Sequence, residues 1–514
     1  MAKIVFEKSA SFVRRFPDLF IDFPVQVSNL RKNLFDFIPV PFGQRITETI
    51  VDFEGKIMLE FDVVIVGSGT AGQTAAYDLK AGGLRVAVIE SSDRPGGTCA
   101  LAGCQPKKWF YEAAETISRS SHLKGRGIMD AATGSWSQVL KEKNKFTSGV
   151  SRRTVDGFHE AGIEYIEGSA RFVASDTLAV GSRRIRSRFF VLATGARPMP
   201  LEMPDNEHLV LSDAFMELES LPRRILFVGG GFIAFEFAHF AARLGPENSQ
   251  LVILEAGDRP LGPFDAEMVD LLVQASGEVN INIITGVQIV AIEKNAAGFL
   301  VKTRSGQSHE TDRVVHGAGR IPNIETLDLD AGSVVFNKRG IVVNAYMMTS
   351  NPNVYAVGDC ADSVQLARVA DFEGHTAAAN ILAHFGKAEP ATISYDAVPA
   401  VLFTCPQYAM VGKTEAALQK EGIAYRKSFG KNLRWPTYQR IGLTHAAYKI
   451  MVSADGRFLG AHFLSDNASG LVNTLRLAMI NGITVNQLYQ QSIMSPYPTR
   501  ESDLIYMLKP LLVL

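Results

Sequence analysis

Cys99 and Cys104 lie in the run Gly96-Gly97-Thr98-Cys99-Ala100-Leu101-Ala102-Gly103-Cys104-Gln105-Pro106-Lys107-Lys108. Two thiols this close, beside a glycine pair, can alternate between dithiol and disulfide and so handle two electrons. Five residues of ideal helix rise about 7.5 Å, whereas a disulfide usually needs Cα atoms roughly 4.4–6.8 Å apart. The segment must therefore leave regular helix between the cysteines. Gly103 tolerates unusual dihedrals, and Pro106 suits the first turn of a helix that runs through the apolar stretch Trp109 to Ile117. A helix N-terminus favours a thiolate and lowers a cysteine pKa. Taken alone, the pair also fits two packed core thiols or half a zinc site. No second Cys or Cys/His pair at ligand spacing lies nearby, which argues against zinc.

The elements around this pair are those of nucleotide binding. Phe61 to Val66, apolar but for Asp62, reads as a buried parallel strand, followed by Gly67-Ser68-Gly69-Thr70-Ala71-Gly72 and a helical stretch to Lys80. Gly67 permits the tight turn, Gly69 lets backbone approach a pyrophosphate, and Gly72 lets helix and strand pack closely. A second strand, Arg85 to Ile89, ends at Glu90, placed to accept hydrogen bonds from a ribose. The pattern recurs: Arg224 to Val228 leads into Gly229-Gly230-Gly231-Phe232-Ile233-Ala234, an apolar helix and a strand ending at Glu255. Two dinucleotide folds imply two dinucleotides. With a thiol pair attached to the first, FAD belongs in the first site and a nicotinamide nucleotide in the second.

With Ala193-Thr194-Gly195, Gly317-Ala318-Gly319-Arg320-Ile321-Pro322-Asn323, Asn353 to Asp359, Phe403-Thr404-Cys405-Pro406 and Val411 to Glu415 added, the chain from Phe61 onward resembles the pyridine-nucleotide disulfide oxidoreductases. These flavoproteins include glutathione reductase, dihydrolipoamide dehydrogenase and mercuric reductase. The resemblance implies an α/β fold with two Rossmann-like dinucleotide-binding domains and an α+β C-terminal dimerisation domain, working as a homodimer. It implies that Asp359 holds the ribityl chain of FAD, and that Gly97, Thr98, Ala170, Thr194, Gly195 and Arg320 join Gly67, Gly69, Gly72 and Glu90 in cofactor binding. Gly229, Gly231, Ala234 and Glu255 would serve the nicotinamide nucleotide. Cys104 would exchange electrons with the flavin while Cys99 attacks the substrate. Lys108 would sit beside flavin N5 with Glu236 as its salt-bridge partner, Lys107 taking the solvated helix face. Phe232 stands where the family often has a tyrosine that shields the flavin.

Nucleotide preference divides. Glu255 suits a free 2′-hydroxyl and repels a 2′-phosphate, whereas Ala234 and Arg259 point towards NADPH; the balance is for NADH. The main departure from the family lies near the C-terminus. Where the resemblance implies His-Pro-Thr followed by a glutamate, supplied by the other subunit as acid/base couple, this chain has Tyr497-Pro498-Thr499 and Ser502. A tyrosine with a reference pKa of about 10 is a poor substitute for imidazole unless shifted. Tyr497 is therefore either a changed catalytic group or a packed interface residue. The acceptor is expected to be of disulfide type. The rivals are a thiophilic metal ion, copper above mercury because the chain carries no paired-cysteine tail, flavin-only diaphorase activity with quinones, and a redox-sensing docking module.

A net charge of −1 gives no electrostatic case for nucleic acid, and four cysteines without an even framework, with no signal peptide or apolar membrane span evident, suggest a reducing cytoplasmic setting. Cys360 and Cys405 read as ordinary packed thiols. The motifs divide the chain into an extension over 1–60, an FAD-binding domain over 61–198, a nucleotide domain over 199–319, a return to the FAD side over 320–390 and an interface domain over 391–514. The extension holds nine of the 31 phenylalanines and balances eight basic against eight acidic residues. With Phe12, Phe16, Phe20 and Phe23 at helix-like spacing, it reads as an arm packing on the enzyme, with membrane-surface or partner contact as the alternatives.

Overall fold

The computed structural model describes residues 50–51 and 57–513. The expected packing arm over 1–60 lies almost wholly outside the described residues. Ile57–Val66 forms the centre of an eight-stranded sheet, starting four residues before the apolar run that announced it. Its parallel core runs Glu164–Glu167, Val86–Glu90, Ile57–Val66, Arg183–Leu192 and Val354–Ala356. Burial on both faces explains why the end of the central strand, Val63 to Val66, is unbroken apolar sequence: Val63, Val64 and Ile65 are fully inaccessible. The last strand comes from the chain's return after residue 320, so its end delivers Asp359 to the same edge as the first glycine loop.

A second sheet of five parallel strands follows the order Ile281–Ile284, Gln250–Leu254, Arg224–Val228, Arg313–His316 and Leu209–Val210. A three-stranded antiparallel sheet over Ile289–Thr311 lies within the same stretch of chain. The C-terminal part is a five-stranded antiparallel sheet, ordered Ala400–Leu402, Gln407–Gly412, Phe458–Ser465, Ala447–Val452 and Arg426–Lys431, with the helices Ala468–Ile480 and Val485–Ser492 beyond it in sequence. Both parallel sheets place a glycine turn and a helix N-terminus after their central strand, Thr70–Ala81 in one and Phe232–Leu244 in the other. Such strand ends are the usual ligand edge of open α/β sheets. Among the described residues no helix is long and apolar enough to cross a membrane.

Candidate functional site

Two cavities open at these strand ends. One, of about 680 Å³, is lined by Gly67, Gly69, Glu90, Gly97, Thr98, Cys99, Cys104, Ala170, Thr194, Gly195, Glu236, Arg320 and Asp359 among others. The second, of about 910 Å³, is lined by Gly229, Gly231, Glu255, Arg259 and Phe264. Phe232, Ile233, Phe264, Arg320, Asp359 and Gln365 border both. The cavities therefore meet at Phe232, which is half exposed.

The first cavity is a cradle that side chains would fill. Gly97 has φ +77°, and a Cβ there would lie 2.4 Å from Gly69 Cα. Gly72 does not line the cavity; a Cβ at that position would meet the Gly67 carbonyl oxygen at 2.1 Å, so its absence lets helix and strand close up. Glu90 accepts hydrogen bonds from the Ser68 amide at 2.9 Å and hydroxyl at 2.7 Å. Ser68 Oγ in turn accepts from the Gly96 amide at 2.9 Å, tying the glycine loop to the start of the cysteine segment. Asp359 at the far end is partly buried, which pushes its pKa up against the pull of Arg320.

The cysteine segment breaks as the disulfide geometry required. A short helix, Gly97–Leu101, stops, Gly103 adopts φ −145° and ψ −112°, and a new helix, Cys104–Leu123, begins at the second cysteine. That helix starts five residues before the apolar stretch that suggested it, because Gly103 and Pro106 favour its first turn. Both thiols are free and half-buried. Their proton affinities are split. The hydrogen bond from Cys99, then Lys107 and the helix backbone, hold the Cys104 thiol down at about 6 against burial. Cys99, donating that bond and partly buried, is pushed well above the ordinary thiol range. Cys360 and Cys405 are buried.

The expected partnership of Lys108 with Glu236 is corrected. Lys107 Nζ stands 2.7 Å from Glu236 Oε2, with Glu236 only 1% exposed and Lys107 16%. Glu236 Oε1 accepts the Phe403 amide at 3.0 Å. Lys107, not Lys108, lines the cavity. Lys108 turns to the rings of Tyr111, 5.0 Å from its ammonium, and Phe403. Burial, with repulsion from Lys107, lowers its pKa to about 7. The physical reason is rotation: positions three and four beyond Cys104 share one side of the helix, and the location of Glu236 on Phe232–Leu244 chooses between them. Spacing from the second cysteine was the available signal, and it does not separate the two lysines.

In the second cavity Glu255 Oε2 accepts the Gly230 amide at 2.5 Å and Oε1 the Gly257 amide at 2.7 Å. The Arg259 guanidinium donates to the carbonyls of Gly262 and Phe264. Ala234 does not line the cavity; it is fully buried and packs under Gly317. Tyr497 lies outside both cavities, 76% exposed. Its segment is pinned by Arg500 to Asp466 at 2.8 Å and by Asn467 to Glu501 at 2.7 Å. Ser502 is buried and bonds Thr499 at both backbone atoms, so no carboxylate occupies that position. No histidine lines the first cavity among the described residues.

Comparison with known proteins fits this architecture. The family described as pyridine nucleotide-disulphide oxidoreductase matches residues 61–374, and its dimerisation domain matches residues 398–504. A mercuric reductase of Staphylococcus aureus is 31% identical over 471 residues, spanning 89% of this chain and 83% of the relative. A dihydrolipoyl dehydrogenase of Chlamydia pneumoniae is 31% identical over 445 residues, spanning 84% and 93%. Among solved structures, the HOCl-induced flavoprotein disulfide reductase RclA from Escherichia coli overlays with a TM-score of 0.77 at 23% identity, covering 87% of this chain and 99% of that one. That likeness speaks for the fold.

Proposed function

Because the chain belongs to the pyridine nucleotide-disulphide oxidoreductase family, whose members are FAD- and NAD(P)H-dependent enzymes, we propose that it is a homodimeric NADH oxidoreductase that delivers electrons through Cys99 and Cys104 to a disulfide-type acceptor. The observation that carries this reading is the split thiol pair at a helix N-terminus, beside the Lys107–Glu236 ion pair and inside a glycine-lined cavity.

The residues fit the cofactor. The Gly69/Gly97 approach leaves a backbone-lined channel for a pyrophosphate, Glu90 closes the ribose end, and Asp359 with Arg320 closes the other. Bound there, FAD supplies the exchange between hydride and an electron pair that links nicotinamide to disulfide. Lys107 places a cation beside Cys104 and stabilises its thiolate. Cys99, which keeps its proton, is the thiol that attacks the acceptor once a base removes that proton. Phe232 borders both cavities, where its ring separates the two sites. The overall balance is NADH, a proton and one acceptor disulfide giving NAD⁺ and two thiols.

Two features support NADH over NADPH. The Glu255 carboxylate lines the second cavity, and Arg259 is held by its Nη2 to two loop carbonyls. Thiophilic metal ions form the second reading, favoured by Tyr497 standing where imidazole is expected: reduction of Cu(II) by a soft dithiolate requires no protonation of a leaving thiolate. The deciding experiment is anaerobic NADH and NADPH oxidation against disulfides, lipoamide, quinones and copper or mercury ions, with Cys99→Ser alongside. Fast turnover of a disulfide by the wild type alone supports the first reading. Fast metal reduction with inert disulfides supports the second, and activity surviving in Cys99→Ser overturns both.

A further inference from the structure

Lys449, on the strand Ala447–Val452 of the C-terminal sheet, is 1% exposed and far in sequence from every motif described above. Its ammonium meets three carboxylates: Asp265 at 2.6 Å, Glu267 at 2.5 Å and Glu415 at 2.9 Å. Asp265 is itself 2% exposed. Asp265 ends the loop that lines the nucleotide cavity through Glu255, Arg259, Leu261, Gly262 and Phe264. It also caps the helix Ala266–Gly277, accepting the Met268 amide at 3.4 Å. Its own amide donates to Tyr408 Oη at 3.2 Å, and Tyr408 bonds His462 Nδ1 at 3.3 Å. Both of these rings belong to the C-terminal sheet. Phe264, one residue earlier, stacks at a tilt 5.3 Å from Tyr408.

The loop therefore has two kinds of anchor. Arg259 ties it internally, to the carbonyls of Gly262 and Phe264. Asp265 ties its end to a different sheet, and the charge holding that tie is Lys449. A buried ion pair adds little net stability over an apolar replacement, but removing one member leaves an uncompensated charge that must find water or another partner. Here the uncompensated group would be Asp265, and the cheapest relief is for the end of the nucleotide loop to move.

We propose that Lys449 is a positioning residue for the nicotinamide-nucleotide site, holding the Glu255–Phe264 loop in its binding shape through Asp265. The inference rests on the second cavity taking the nicotinamide nucleotide. It makes the C-terminal sheet a part of nucleotide recognition, although no residue of that sheet lines the second cavity.

The test is equilibrium binding of ADP-ribose, which cannot transfer hydride, to FAD-saturated enzyme by calorimetry, for wild type, Lys449→Met and Lys449→Arg. Lys449→Met is expected to raise the dissociation constant about tenfold, equivalent to roughly 1.4 kcal/mol. Lys449→Arg, which keeps the charge, is expected to restore it to near the wild-type value. The dithionite titration of Cys99 and Cys104 is expected to stay unchanged in both, since neither thiol lines the second cavity. Should Lys449→Met fail to accumulate, Asp265→Asn carries the same criterion, because asparagine keeps the helix cap while removing the charge. Wild-type affinity in the neutral variant, with a change only in thermal stability, overturns the proposal. Failure of the wild type to bind ADP-ribose overturns the assignment of the cavity instead.

Discussion

Replacing Lys107 and Lys108 separately by methionine separates two lysines that sequence spacing cannot. Glu236 is 1% exposed and its ammonium partner lies 2.7 Å away. Removing one member of a buried pair costs about 3–5 kcal/mol. Glu236 keeps its bond to the Phe403 amide and Lys107 is 16% exposed, which places Lys107→Met at the lower end, about 3 kcal/mol. Glu236→Gln retains one acceptor and leaves a lysine able to reach water, so it costs less, about 1.5–3 kcal/mol for the lost charged hydrogen bond. The double variant is expected to cost less than the sum, since it leaves neither charge alone. Lys108 has no such carboxylate, and methionine relieves its burial. The assay is thermal unfolding of FAD-saturated enzyme, where roughly 2–4 °C per kcal/mol for a unit of 150–250 residues puts the Lys107→Met shift at no more than about 6–12 °C. Rapid-reaction mixing with NADH supplies the second readout: loss of the cation beside the thiolate is expected to slow disulfide reduction about 10²-fold in Lys107→Met, with Lys108→Met close to wild type. A larger penalty for Lys108→Met in both measurements, or additivity in the Lys107/Glu236 cycle, refutes the reasoning.

Lys108, lowered to about 7 by burial, binds fewer protons folded than unfolded between that pH and its ordinary value, so stability rises with pH across this window; Lys108→Met is expected to flatten that slope in thermal melts from pH 7 to 10. In the two-electron-reduced enzyme one thiolate is expected to disappear as pH falls through about 6, followed by ultraviolet thiolate absorbance, and Cys104→Ser is expected to abolish the transition. Gly97→Ala forces a Cβ to 2.4 Å from Gly69 Cα at φ +77°, so the purified variant is expected to lose most of its bound FAD, read from its visible absorbance. Burial acts to raise the pKa of Glu415, but Lys427, Tyr425 and Lys449 hold it at about 2, and its stabilisation is thus complete above the ordinary carboxylate range and lost as pH falls towards 2. Glu415→Gln is expected to show a shallower loss of circular dichroism over that acid range.

The strands and turns of both nucleotide folds were legible because their causes are local. A strand segment buried on both faces has to be apolar, as Val63–Val66 is, and a turn where a Cβ would lie 2.4 Å from neighbouring backbone has to be glycine. The break between Cys99 and Cys104 followed from the reach of a disulfide against the rise of a helix. The sequence also placed Glu90, Glu255 and Asp359 at strand ends, where the structure has them lining the cavities.

What lay beyond the sequence was set by contacts between distant segments. Lys107 and Lys108 differ by one position on a helix surface, and only the arrival of Glu236, 129 residues later, selects the first. Lys449 carries no motif at all; its importance comes from Asp265, 184 residues earlier, being brought against it with no water between. Tyr497 could be named as a departure from a pattern, but a single subunit leaves it exposed. Local sequence determines backbone shape because steric and hydrogen-bonding constraints act over a few residues. Which charges face one another is decided by the packing of whole sheets, and the electrostatics of the site follow from that.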